Sequence, residues 1–348
     1  MMRPFLIGIF LAAGLFSSKG SFGQPDSLWV TYEGQGGPGT GKHIVLVSGD
    51  EEYRSEEALP MLAQILARNY GFTCTVLFPI DPQTGRIDAM YPSNIPGLSQ
   101  LRQADLLVIF TRFRELPDSQ MRYIDAYLKE GRPVIGLRTA THAFNYQKDT
   151  SGPFACYDFR SRIPGWEGGF GKKVLGETWI NHHGLHRQEG TRCLVNGVEQ
   201  DAGNPLLRGV QDIWTPTDVY SVGQLQGARV LLYGQSTSGM TAASPVNLQK
   251  SVMPVAWTRS YQVPGGREGL AFATTMGAAV DLQSEDLRRL LVNACFWAVG
   301  MEKQIPARAE VNYISPYRPT MFGPELFRRG SLPARYAWKP ANPKPKDP

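Results

Sequence analysis

The chain has 348 residues, 42% of them hydrophobic and 19% charged, enough to bury a sizeable core and too apolar for a disordered protein. Its formal charge is +5, or +3 without residues 1–23, and the basic residues are scattered, with no zinc-finger, RRM or helix-turn-helix signature. Nucleic acid is therefore not an expected partner.

Arg3, an apolar run over residues 5–16 and the small residues of Ser21-Phe22-Gly23 read together as a signal peptide over 1–23. The apolar run is shorter than the roughly 20 residues a spanning helix needs. No later stretch reaches that length and no Cys follows the run, so the expectation is a periplasmic or secreted protein without membrane span or lipid anchor. Residues 24–41, Gly-rich from Gly34, are expected to be a flexible leader.

From residue 42 the pattern alternates. Residues 43–48 are a short apolar run ended by Gly49-Asp50, which suits a buried strand. A helix follows, capped by Ser55, acidic at Glu56 and Glu57, apolar at Leu59, Leu62, Ile65 and Leu66, and stopped by Gly71. Strands are expected at 72–78, 105–110 and 133–137, with a helix opened by Pro117 and closed by Gly131. This strand-helix rhythm predicts a three-layer α/β fold around a mostly parallel sheet, whose ligands bind beyond the carboxyl ends of the strands. The loops 49–54, 111–116 and 138–142 are then the expected walls of a site.

Residues 152–190 break the rhythm with Gly, Trp and His and read as a functional insertion in one domain over 42–305. Strands at 228–234, 253–258 and 270–275 and a helix through Leu287, Leu290, Leu291 and Ala294 complete that domain. A Pro-rich extension over 306–348 wraps the surface. Cys74 and Cys295 read as core, whereas Cys156 and Cys193 fall in loop-like segments where an oxidising compartment would allow a disulfide.

The chemistry-bearing residues concentrate in those loops. Glu51 and His142 are the candidates for proton transfer, and Asp50, Tyr53, Arg112, Arg114, Arg138 and Thr139 for binding a polyhydroxylated ligand. A structural ion pair between Glu51 and Arg138 is the competing reading. The segment Asn181-His182-His183-Gly184-Leu185-His186 holds three of the five histidines, and His182, His183 and His186 are candidate ligands for a zinc-like divalent ion. It is not a HExxH motif, because His183 stands where the Glu would be. The turn 136–142 follows a strand directly, where a nucleophile elbow would carry Ser or Cys, and neither is present. Trp166, Phe170 and Trp179 near the His segment could stack on a sugar ring, and Trp257 and Trp297 belong to packing.

The ordered series Ile44-Val45-Leu46-Val47-Ser48-Gly49-Asp50-Glu51-Glu52-Tyr53-Arg54-Ser55, Phe110-Thr111-Arg112-Phe113-Arg114-Glu115-Leu116-Pro117 and the turn at 136–144 resembles the ThuA-like (trehalose-utilisation) family. The segments 179–186 and 214–220, Thr274-Thr275-Met276-Gly277, and residues 290–294 extend the likeness to roughly residues 42–325. The resemblance implies a flavodoxin-like, class I glutamine amidotransferase-like fold lacking the amidotransferase's cysteine. It also implies a part in the uptake and processing of sugars, including keto-disaccharides. Many relatives carry a His after the Thr-Met/Leu-Gly segment, where this chain has Ala278, which shifts weight onto His142, His182, His183 and His186. The functional expectation is a sugar isomerase, lyase or hydrolase, with a non-catalytic sugar-binding module as the alternative.

Overall fold

The computed structural model describes residues 28–193, 203–324 and 326–338; the expected signal peptide lies outside the described residues. Ten strands form one sheet: β1 (Trp29–Tyr32), β2 (His43–Gly49), β3 (Thr73–Leu77), β4 (Leu106–Thr111), β5 (Val134–Leu137), β6 (Thr191–Cys193), β7 (Trp214–Thr215), β8 (Ala228–Ser236), β9 (Met253–Tyr261) and β10 (Gly269–Thr274). Their order is β1-β3-β2-β4-β5-β10-β9-β8-β6-β7.

The strands from β3 to β10 in that order pair in parallel. Helices α1 (Ser55–Tyr70) and α2 (Asp118–Lys129) make two of the crossovers, and α3 (Glu285–Ala298) closes the fold. The expectation of a mostly parallel sheet is corrected, because five of the nine pairings are antiparallel. The cause is visible in the connections: β8, β9 and β10 are joined by loops, without the helix a parallel return requires.

Alternation along the strands builds two cores. Ile44, Leu46, Val108 and Phe272 face one side with Leu62 of α1 and Leu290 of α3, while Val45, Val47, Ile109 and Ala273 face the other with Ile124 of α2. The insertion packs on that second face through Tyr157, Trp166, Phe170 and Leu175, and Trp257 donates to the Leu175 carbonyl at 2.7 Å. Cys193 belongs to the first core and Cys156 lies against the second, so the sheet separates the two thiols; all four cysteines are free.

Two segments read as peripheral are built in. The leader supplies β1, antiparallel to β3, so its described part is not a flexible arm. The extension lies along α1: Thr320 N–H donates to Glu57 Oε2 at 2.7 Å and the Tyr317 hydroxyl to the Ala279 carbonyl at 2.7 Å. This cover is why nearly every α1 residue is buried although the helix has polar positions. Among the described residues, no helix is long and apolar enough to cross a membrane.

Candidate functional site

The loops after β2, β4 and β5 do converge beyond the carboxyl ends of the strands. β2 and β4 are sheet neighbours although α1 and β3 separate them in the chain, and that reversal of strand order leaves a crevice between their loops. Each loop contains one non-glycine residue forced into the left-handed region: Arg54 at φ 62°, Phe113 at 54° and Arg138 at 42°. Arg187, just after the His segment, is the fourth among the described residues. Such strain costs about 1–3 kcal/mol per residue and persists only where surrounding bonds over-determine it.

The first layer of the site supplies that determination. The Asp50 carboxylate accepts from the backbone N–H of Glu52 at 2.7 Å, from that of Tyr53 at 2.5 Å and from the Thr139 hydroxyl. Burial, with the neighbouring Glu51, pushes Asp50 up to about 6. Ser55 does not cap α1 with its hydroxyl; Arg54 occupies the cap position. The Ser55 Oγ instead accepts from the Gly49 and Asp50 amides at 3.1 and 2.9 Å. Arg54 donates to the carbonyls of Glu51 at 2.5 Å and Gly323 at 2.7 Å, tying the C-terminal extension to the β2 loop. Arg114 donates to the carbonyls of Ala89, Tyr91 and Arg112, and Glu51 is held by Arg112 and Arg114.

Arg138, at the elbow position, is fully buried between the rings of Tyr53 and Tyr220, 4.2 and 4.3 Å from their centroids. It donates to the Thr275 carbonyl at 2.7 Å and to Asp218 Oδ1 at 3.1 Å, so its partner is Asp218 and not Glu51. Of the expected ligand-binding residues, Asp50, Arg114, Arg138 and Thr139 are therefore interior bracing, and Tyr53 and Arg112 reach the open recess.

That recess, about 40 Å³, is lined by Glu52, Tyr53, Arg112, Phe113, His142, Trp179, His182 and Tyr220. It has room for a few water-sized groups. A larger groove of about 1460 Å³ lies between α1 and residues 313–338, walled by Tyr313, Tyr317, Tyr336 and Trp338, and contains none of the histidines. Size and chemistry part company here, and the chemistry is in the small recess.

His142 is buried among Phe113, Phe159, Trp179 and Tyr220. Burial, then the positive charges of Arg112 and Arg138, hold its pKa well below the usual histidine value, so the imidazole is neutral. Its Nδ1 lies 3.1 Å from the Thr141 hydroxyl, which leaves Nε2 for the recess. Glu52, beside the expected Glu51, is the carboxylate on the recess. Burial pushes it up, but the hydrogen bond from His186 and the charge of Arg112 outweigh that and hold it below the usual range.

The His segment forms the opposite wall. It is no helix: His182 bridges to Tyr220 as an isolated extended pair and the chain then turns at Gly184. A Cβ at Gly184 would lie 2.8 Å from the Asp218 Cβ, so only glycine lets this turn close on Asp218. Around it, His182 Nδ1 is 2.6 Å from Asp218 Oδ2, His186 Nδ1 is 3.3 Å from Asp218 Oδ1, and His186 Nε2 is 3.1 Å from Glu52 Oε1. Hydrogen bonds to Asp218 and Glu52 raise His186 to about 9. Burial raises Asp218, but bonds from His182 and His186 and the charge of Arg138 hold it well below the carboxylate range. His183 is turned away, its Nε2 2.8 Å from the Ser251 carbonyl. Sequence reasoning missed Asp218 and Tyr220 as site residues, although both lie in the 214–220 segment that carries part of the family likeness.

The sequence model of the ThuA family, described as trehalose utilisation, matches residues 44–298. No curated protein matches the chain. Among solved structures, a ThuA-like protein from Parabacteroides merdae ATCC 43184 is similar at 15% identity and TM-score 0.42, over 86% of this chain and 99% of its own. One from Bacteroides uniformis ATCC 8492 has the same identity and TM-score, over 75% of this chain and 92% of its own. With the family's sequence pattern spanning every strand from β2 to β10 and all the loops that wall the recess, the chain belongs to the ThuA, or trehalose utilisation, family.

Proposed function

We propose that the protein processes a sugar or keto-sugar by general acid and base chemistry at this recess, and that it does so outside the cytoplasm after removal of residues 1–23. The observation that carries this reading is His142: a neutral imidazole held in an aromatic box, with Arg112 and Glu52 on the same small cavity. A neutral imidazole takes a proton, the Arg112 guanidinium steadies the negative charge that develops on a carbonyl oxygen, and the imidazolium so formed returns the proton. Only one polar group of a sugar fits in about 40 Å³. The ring then rests outside it, against Trp179, the partly exposed aromatic of the recess lining.

Keto-disaccharides incubated in deuterium oxide test this. Turnover, or deuterium entering beside the carbonyl, is expected from the native chain and lost by at least about 100-fold in His142→Gln. Binding of such a sugar without turnover or exchange would leave a sugar-binding module in place of an enzyme.

A further inference from the structure

We infer that His182, His186 and Asp218 form a binding site for one divalent first-row cation of the zinc type, with Glu52 holding the His186 ring from its other nitrogen. The inference rests on the proposed function only for what the ion would do there; the site itself is argued from geometry. The candidate donor atoms of His182, His186 and Asp218 lie within 4.8 Å of one another. Glu52 Oε1 lies 3.1 Å from His186 Nε2, the nitrogen opposite the one that faces Asp218, and so orients the ring. Two imidazoles and a carboxylate, with a position left open, are a donor set suited to zinc and its neighbours rather than to magnesium or calcium, which prefer oxygen alone.

Three features argue for a built site over a chance ion pair. The Asp218 side chain is fully buried and braced by Arg138, and the far nitrogen of His186 is held by Glu52, itself paired with Arg112 at 3.3 Å, so a carboxylate and an imidazole of the set both have the orienting partners that metal ligands need. Gly184 brings the His-bearing turn onto Asp218 at a distance no other residue permits. The histidine side chains remain 33% and 27% exposed while the carboxylates are buried, which leaves one open side for water or a substrate oxygen. That open side adjoins the recess containing His142, since His182 belongs to both. A bound cation would there polarise a sugar carbonyl.

Untagged full-length protein, stripped with a chelator and dialysed, should bind about one equivalent of added zinc, measured by calorimetry and by metal analysis. The His182→Ala/His186→Ala variant should bind it more than about 100-fold more weakly, and His183→Ala should bind it as the native chain does. Histidine modification by diethyl pyrocarbonate, mapped by peptide mass, uses the native chain and so survives a variant that fails to fold. Zinc should protect His182 and leave His183 reactive. Absence of zinc binding, binding undiminished in the double variant, or no protection would each overturn the site. Zinc bound without any sugar turnover would sink the proton-transfer reading and leave the site standing; turnover by zinc-free protein that binds no zinc would do the reverse.

Discussion

The two walls around the recess both carry polar and titratable side chains and behave differently. The strand-end wall, Asp50, Thr139, Arg114 and Arg138, is buried to within 3% of full, and its polar groups are spent on one another and on backbone carbonyls. The facing wall, Trp179, His182 and His186, comes from a turn in the insertion and stays partly open. A guanidinium on the first wall fixes the left-handed turns on which the loops depend; an imidazole on the second, though bonded to a carboxylate, keeps a face open to a ligand. Residue type at the end of a strand therefore says less about function than whether its hydrogen bonds are already taken.

The largest effect should come from the strand-end wall. Asp50→Ala strands the amides of Glu52 and Tyr53 and the Thr139 hydroxyl, and should cost about 3–5 kcal/mol in urea unfolding. A cost under about 1 kcal/mol would mean that water takes over these bonds and that the wall is no brace. Beside that wall, the first turn of α1 holds a buried acid. Both Glu56 carboxyl oxygens are buried without a hydrogen-bond partner, and burial pushes the group up to about 8 from 4.5. Between those values the native state keeps a proton that the unfolded chain releases, so stability falls as pH rises across the window. Glu56→Gln, which mimics the neutral acid, should gain about 4 kcal/mol relative to the native chain between pH 4.5 and pH 8. Parallel pH profiles of the two proteins would refute a buried neutral acid.

This division explains what could be read from the chain beforehand. The strands at 43–48, 72–78, 105–110 and 133–137 and their helices were legible because apolar runs, Pro and Gly punctuation and a 3.6 period are local signals. Their convergence followed from the rule for strand ends. Direction in the second half was not legible: β8, β9 and β10 look like any buried strands, and only the missing crossover helices mark them as antiparallel. In the site, the loops were found and their side chains only in part: Tyr53, Arg112, His142 and His182 line the recess, whereas Asp50, Arg114, Arg138 and Thr139 do not. Glu51 and Glu52 are adjacent identical letters, and which one faces the recess depends on the left-handed turn at Arg54 and on Arg112 and Arg114 taking Glu51. Asp218 lies more than thirty positions from His182, and its partnership depends on a glycine contact no local pattern encodes.

The facing wall predicts smaller losses of stability with sharper losses of function. Gly184→Ala places a methyl group against Asp218 and should cost about 1–3 kcal/mol while moving both histidines off their carboxylate. Sugar turnover and zinc affinity should then fall together, with the Asp50 bracing intact by amide hydrogen exchange. A variant that keeps both activities would show that the turn has slack and that Gly184 is not what positions His182 and His186.

The smallest expected effect is the most discriminating. His183 sits between the two site-facing residues His182 and Gly184, yet its ring bonds outward to the Ser251 carbonyl at 2.8 Å and joins neither the recess lining nor the Asp218 cluster. A partly exposed side chain with a single outward bond should tolerate His183→Ala within about 0.5 kcal/mol, and turnover should be unchanged. A substantial fall in turnover at native stability would show that the turn rotates in the working protein and brings His183 inward. The open wall would then be a moving part, and the contrast between the two walls would be one of mobility as well as of exposure.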